Sequence, residues 1–157
     1  VASIVEFPGG DLFVGGNFTR IDGLAAQRVA RWNGSSWSRT AAGCNAFVNA
    51  LAFAPGGDLI VAGAFTTVGD LAAEHVARWN GSTWSALGSG TNGNANAVVV
   101  LPSGDIVVGG SFTTAGGQAA NRIARWNGST WSPLGSGLNG NVDALLVLPN
   151  GDLIAGG

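Results

Sequence analysis

The chain is one unit written several times over, and the length of that unit restricts the fold more than any other feature. Pro-x-Gly-Asp occurs at Pro8 to Asp11, Pro55 to Asp58, Pro102 to Asp105 and Pro149 to Asp152, each 47 residues after the last. Ala-Arg-Trp-Asn-Gly-Ser recurs in the same register from Ala30, Ala77 and Ala124, and 29 of 47 positions are identical between residues 48–94 and 95–141, with no insertion or deletion. The units are therefore 1–47, 48–94 and 95–141, and residues 142–157 match the start of the first unit. A stop partway through a fourth unit predicts that the chain is a segment of a longer array.

Turn chemistry divides each unit. Pro-x-Gly, Gly-Gly or Gly-Asp, Asn-Gly and Gly-Ser-Gly are the punctuation, because Gly and Asn tolerate the positive φ that tight turns need. Between them lie four segments rich in Val, Ile, Phe, Thr and Trp, which in the third unit run about 98–101, 105–113, 122–126 and 130–134. These read as strands, and no segment has helical periodicity. Pro102 to Gly104 joins the first two and Asn127-Gly128 joins the last two as a hairpin. Each unit is thus a four-stranded antiparallel meander. A repeat of 40 to 50 residues with four strands is the signature of a β-propeller blade, and a stacked solenoid is the rival, although solenoids more often carry one or two strands in a shorter repeat. The fold expected is all-β: three full blades (1–47, 48–94, 95–141) and the first hairpin of another (142–157).

The motifs Gly104-Asp105, Gly109-Gly110, Phe112-Thr113, Ile123-Ala124-Arg125 and Trp126-Asn127-Gly128, largely kept 47 residues earlier, resemble the bacterial delta-60 class of surface repeats and the related propeller of fungal cortical cell-polarity markers. The resemblance implies a propeller from a large secreted or surface-anchored protein and offers no catalytic residues. An extracellular or cell-surface location rests on it alone.

Composition closes off several functions. Of seven basic residues all are Arg, and they are dispersed among nine acidic ones with a net charge of −2. No electrostatic footprint for nucleic acid exists. The longest aliphatic runs, such as Ala144 to Leu148, are far short of the roughly 20 residues that cross a bilayer. The lone Cys44 and lone His75 make neither an internal disulfide nor a zinc cluster. No nucleophile and base set or carboxylate pair suggests itself, since His75 reads as a solvated, repeat-variable residue and Glu6 and Glu74 lie in different units. The expectation is a non-enzymatic protein without a cofactor. Calcium in the oxygen-rich loops 91–96 and 138–143 stays open.

The residues that recur with the repeat are the candidates for interaction. The pairs Trp32 with Trp37, Trp79 with Trp84 and Trp126 with Trp131 bracket the Asn-Gly-Ser turn. They read as packing between blades or, alternatively, as stacking platforms for sugar rings. Whether the two rings of a pair face each other or sit diagonally depends on the loop length. Antiparallel pairing would bring Asp11 to Arg31, Asp58 to Arg78 and Asp105 to Arg125 as ion pairs within a blade. Asn-x-Ser/Thr sequons stand at Asn17, Asn33, Asn80 and Asn127, three of them explained by the turn itself. Glu6 puts a charge on a strand that is apolar in later units and fits a solvated edge. Three blades cannot close a ring, so the expected partners are other blades of the same polypeptide or identical copies, with glycans as the alternative. The functional expectation is a structural or binding scaffold associating through inter-blade faces; a carbohydrate-binding propeller and a self-assembling filament subunit are the rivals.

Overall fold

Strand formation follows the apolar runs, and the computed structural model describes all 157 residues. The first unit contains β1 (Ser3–Glu6), β2 (Leu12–Gly15), the short β3 (Arg20–Ile21) and β4 (Leu24–Ala25), β5 (Val29–Trp32) and β6 (Trp37–Arg39). The second repeats them as β7 (Val48–Phe53), β8 (Leu59–Gly63), β9 (Thr67–Val68), β10 (Leu71–Ala72), β11 (Val76–Trp79) and β12 (Trp84–Ala86). The third has β13 (Ala95–Val100), β14 (Ile106–Gly110), β15 (Thr114–Ala115), β16 (Gln118–Ala119), β17 (Ile123–Trp126) and β18 (Trp131–Pro133), and β19 (Ala144–Val147) and β20 (Leu153–Gly156) form a terminal hairpin. The long strands pair in the orders β1-β2-β5-β6, β7-β8-β11-β12 and β13-β14-β17-β18, all antiparallel. The protein is all-β, built of propeller blades.

In the second and third units the second strand is covered on both sides. Every residue of β8 and β14 is buried, which is why Leu59 to Gly63 and Ile106 to Gly110 read as unbroken apolar runs rather than alternating ones. Adjacent units stack through shared cores: Leu51 and Val48 of the second unit join Phe13 and Val29 of the first, and Val98 and Trp131 of the third join Ile60, Val76 and Leu87 of the second. The innermost strands β1, β7, β13 and β19 lie side by side from unit to unit, around the axis of the propeller.

The sequence expectation of four strands needs one correction. The second strand ends at Gly110 and not at 113, and a two-stranded ribbon, β15 with β16, intervenes before β17. The cause is the linker from the preceding unit. Asn92 Oδ1 accepts from the amides of Thr113 and Thr114 at 2.8 and 2.9 Å, and Thr91 bridges to Ala115. The same arrangement recurs one unit earlier with Asn45, Thr66 and Thr67. The Phe-Thr-Thr segment therefore pairs with the incoming linker rather than prolonging its own strand, and the ribbon ties each unit to the one before it.

Gly110 shows how closely the linker approaches. A Cβ built on it would lie against the carbonyl oxygen of Asn94, which already accepts from Ser111 N at 2.9 Å. Backbone cannot withdraw as a flexible side chain can. Gly110→Ala is expected to cost about 2–3 kcal/mol through this clash. Gly104, with φ 88° and open space around it, should cost about 1–2 kcal/mol as alanine through its backbone conformation alone. Denaturant midpoints of the two variants measure the difference.

Candidate functional site

The Trp pairs stand directly opposite across the outer hairpin. Trp32 pairs with Trp37, Trp79 with Trp84 and Trp126 with Trp131 in register, with ring centroids 5.2, 6.3 and 5.4 Å apart. The connecting loop has four residues, closed by Asn127 N donating to Thr130 O at 3.2 Å, so the rings face each other. The Asn is needed as an acceptor: Asn127 Oδ1 takes the amides of Ser129 and Thr130 at 3.0 and 2.9 Å, and Asn33 and Asn80 do the same. Of the two loop lengths the sequence leaves open, the structure has the four-residue one, an Asx-type loop. All four sequon residues, Asn17 included, are exposed.

The second Trp of each later pair reaches backwards. Trp84 Nε1 donates to Ala42 O at 3.1 Å and Trp131 Nε1 to Leu87 O at 2.7 Å, each carbonyl belonging to the preceding unit. The first Trp does similar packing: Trp79 lies 5.8 Å from the ring of Phe13 of the first unit. Trp32 and Trp37 of the first unit are half-buried. The indoles of the second and third units are thus turned to inter-unit contact, leaving no broad open ring in the third unit, where both are buried.

The Asp and Arg that recur in every unit meet. Arg31 Nε lies 2.8 Å from Asp11 Oδ2, Arg78 Nε 2.5 Å from Asp58 Oδ2 and Arg125 Nε 2.7 Å from Asp105 Oδ2. In the first and third units Nη2 adds a second bond to the same oxygen. The guanidinium groups are about half exposed, so each pair contributes only about 0.2–1 kcal/mol. Chemically the more useful point is that Oδ1 of each carboxylate takes no part in any of the three pairs.

Two expectations about lone residues are overturned or sharpened here. His75 is buried rather than solvated, with Nδ1 2.7 Å from Thr91 O. It adopts φ 68°, as Arg28 and Arg122 do at 71° and 66°. Arg28 likewise reaches Cys44 O, at 3.1 Å. The position is a left-handed corner whose side chain holds the outgoing linker in the first two units, which its variability in type concealed. Glu6 is exposed at the edge strand β1. Cys44 is fully buried, and burial pushes its thiol up from 9.0 to about 12 against a smaller opposing pull from Arg28.

A polar ladder near the axis was missed by the sequence reading. Asn49 Nδ2 donates to Ala95 O at 3.2 Å and faces Asn96 Oδ1 at 3.5 Å, and Asn96 Nδ2 donates to Asp143 Oδ1 at 2.8 Å. Asn49 and Asn96 are the bulged residues of β7 and β13, and bulges re-aim side chains. The available signal was a polar residue at the same place in three successive units of an otherwise apolar strand. Asn96→Ala is expected to cost about 1 kcal/mol. Asn96→Asp should cost more, and the excess should shrink in high salt because it sets one carboxylate against another; thermal melts at two ionic strengths check this. No group of three or more His, Cys, Asp or Glu able to hold a metal ion occurs. In the loop 91–96, Asn92 Oδ1 and Thr91 Oγ1 are committed to the chain's own turns.

No protein-family model matches the chain, and no curated protein matches it. Its fold is similar to that of solved structures: a gluconolactonase-like protein (TM-score 0.68, 19% identity, 97% of this chain and 55% of that one), a catalytically inactive virginiamycin B lyase from Staphylococcus aureus (0.61, 15%, 98% and 47%), and the extracellular domain of a one-component-system protein from B. thetaiotaomicron (0.63, 10%, 99% and 20%). The chain spans about half or less of each. At these identities the likeness concerns the propeller fold.

Proposed function

We infer that this protein is a non-enzymatic propeller scaffold that recruits further repeat units through two open, complementary end faces. The carrying observation is one repeat position seen in three settings. Leu51 and Val98, which face a preceding unit, are 5% and 6% exposed, whereas their equivalent Ile4 is 61% exposed. The opposite face behaves alike: Phe13 and Ile60 face a following unit and are buried, while their equivalent Ile154 is 49% exposed. Each open face therefore presents the surface that is elsewhere closed by another copy of the repeat. Such apolar surface favours association, and heterologous contacts of this kind build rings or filaments.

The Asp residues that recur are paired with Arg and the one His holds a backbone carbonyl, which supports a binding rather than a catalytic role. An extracellular or surface setting agrees with the delta-60-type motifs and with one similar structure being an extracellular domain. Absolute mass by light scattering across a concentration series tests the reading. A discrete oligomer or concentration-dependent growth is expected where identical copies cover these faces, reduced by Ile4→Asp; a monomer at every concentration overturns association between copies and assigns the covering units to the same polypeptide.

A further inference from the structure

Two cavities in the molecule share a set of lining positions displaced by one repeat, although Asp11 and Phe13 line only the first and Phe7 there is matched by Ala54 in the second. The first, about 220 Å³, lies between the first and second units and is lined by Arg31 of the first and by Gly57, Asp58, Trp79, Asn80 and Gly81 of the second. The other, about 360 Å³, lies between the second and third units and is lined by Arg78 together with Gly104, Asp105, Trp126, Asn127 and Gly128. Every one of these residues has its counterpart 47 positions away. Recurrence of the same lining at two junctions makes the cavity a property of the repeat.

The chemistry inside is specific in what it leaves unused. Asp58 and Asp105 give only Oδ2 to their arginines, so an acceptor oxygen remains on each. Arg31 and Arg78 make no hydrogen bond through Nη1 and keep exposed guanidinium groups. Asn80 and Asn127 commit Oδ1 to their loops, and Nδ2 remains a donor. Trp79 Nε1 is buried without a hydrogen-bond partner. Each cavity thus sets an acceptor, two kinds of donor and an aromatic edge around a volume near the lower end of small-molecule sites. Since each carboxylate is already neutralised by its own Arg, neither a free anion nor a free cation finds an unmatched countercharge.

We propose that these two junction cavities bind a neutral, hydroxyl-rich molecule of monosaccharide size, one at each junction. Adjacent hydroxyls donate to Asp Oδ1 and accept from Arg Nη1 and Asn Nδ2, and C–H groups of the ring meet the edge of Trp79 or Trp126 that lines the cavity. This places sugar recognition between units rather than on the open faces of the Trp pairs. Residues 1–157 complete two such sites, one at each of the two junctions. Single sites of this kind bind in the millimolar range, about −4 kcal/mol, and two together gain by avidity on a polyvalent surface.

The site does not depend on self-association, because both junctions lie within one chain. The test is a ¹H–¹⁵N titration of the full chain with methyl α-D-mannoside, methyl β-D-galactoside and methyl α-L-fucoside, followed at the six indole N–H signals. The expected result is saturable shifts of Trp79 and Trp126 with at least one glycoside. Arg31→Met should weaken the Trp79 response at least tenfold and leave that of Trp126, and Asp105→Ala, whose partner Arg125 lines neither cavity, should do the reverse, so each variant is the folding control for the other. No saturable shift with any of the three glycosides, shifts confined to Trp32 and Trp37, or equal loss at both junctions in either variant overturns the proposal.

Discussion

Replacing Trp131 by alanine should lower stability by about 3–5 kcal/mol, the range for truncating a large buried aromatic, whereas Trp37→Ala should cost about 1 kcal/mol or less. The two residues hold the same place in the repeat. Trp131 is buried, packs in the shared core with Ile60 and Leu87 of the preceding unit and donates to Leu87 O at 2.7 Å. Trp37 is half-buried, against its partner ring Trp32 and the small cluster of Val14, Ala26 and Ala30 in its own unit. Trp131→Phe separates the contributions, since it keeps most of the ring and leaves the Leu87 carbonyl with Gly90 N alone as donor, for an expected cost of about 1 kcal/mol. Denaturant midpoints measure all three. Equal losses for Trp37 and Trp131 would mean that the indoles stabilise their own hairpin and not the junction, and the inter-unit account would fall. In a repeat array each junction contributes separately, so Trp131→Ala should also broaden the transition.

What the sequence allows one to read here, and what it hides, divides along the range of the interactions. The 47-residue period, the turn residues and the unbroken apolar strands imply stacked four-stranded sheets because all three are local or periodic signals. The proximity of Asp58 to Arg78 follows from antiparallel pairing of β8 with β11, in which Ile60 opposes Arg78. The ribbon of β9 and β10 was not legible, because Thr66 and Thr67 have strand-like chemistry and are diverted only by Asn45, 21 and 22 residues away. The same is true of His75, whose burial depends on the linker carbonyl of Thr91. The ladder through Asn49 and Asn96 was hidden for another reason: a bulge changes which way a residue points, and alternation in the sequence does not announce it. The junction cavities escape notice because each lining combines residues of one unit with the two turns and the Trp of the next.

Raising the pH above 9 should destabilise the protein through one group, Cys44. Its thiol is fully buried where the linker of the first unit bridges to Val68 of the second, and burial pushes it from 9.0 to about 12, with Arg28 pulling the other way. A folded-state value above the unfolded one means that the folded protein holds the proton more tightly. That contribution is complete below about pH 9 and is lost as the pH rises through about 12, where the shift corresponds to about 4 kcal/mol. The chain is well suited to the measurement because it contains no Lys and no Tyr. Lys and Tyr are the other side chains that ordinarily titrate in this range, so the window from 9 to 12 reports on Cys44. Stability measured by urea at successive pH values should fall across that window in the parent and stay nearly level in Cys44→Ala, which at neutral pH costs about 1 kcal/mol for the small cavity it leaves. Alkylation by iodoacetamide at pH 8 should be slow in the folded protein and fast in urea, since the thiolate is the reacting species. A parallel decline in both proteins would place the alkaline transition elsewhere and would show that the linker around Cys44 admits water.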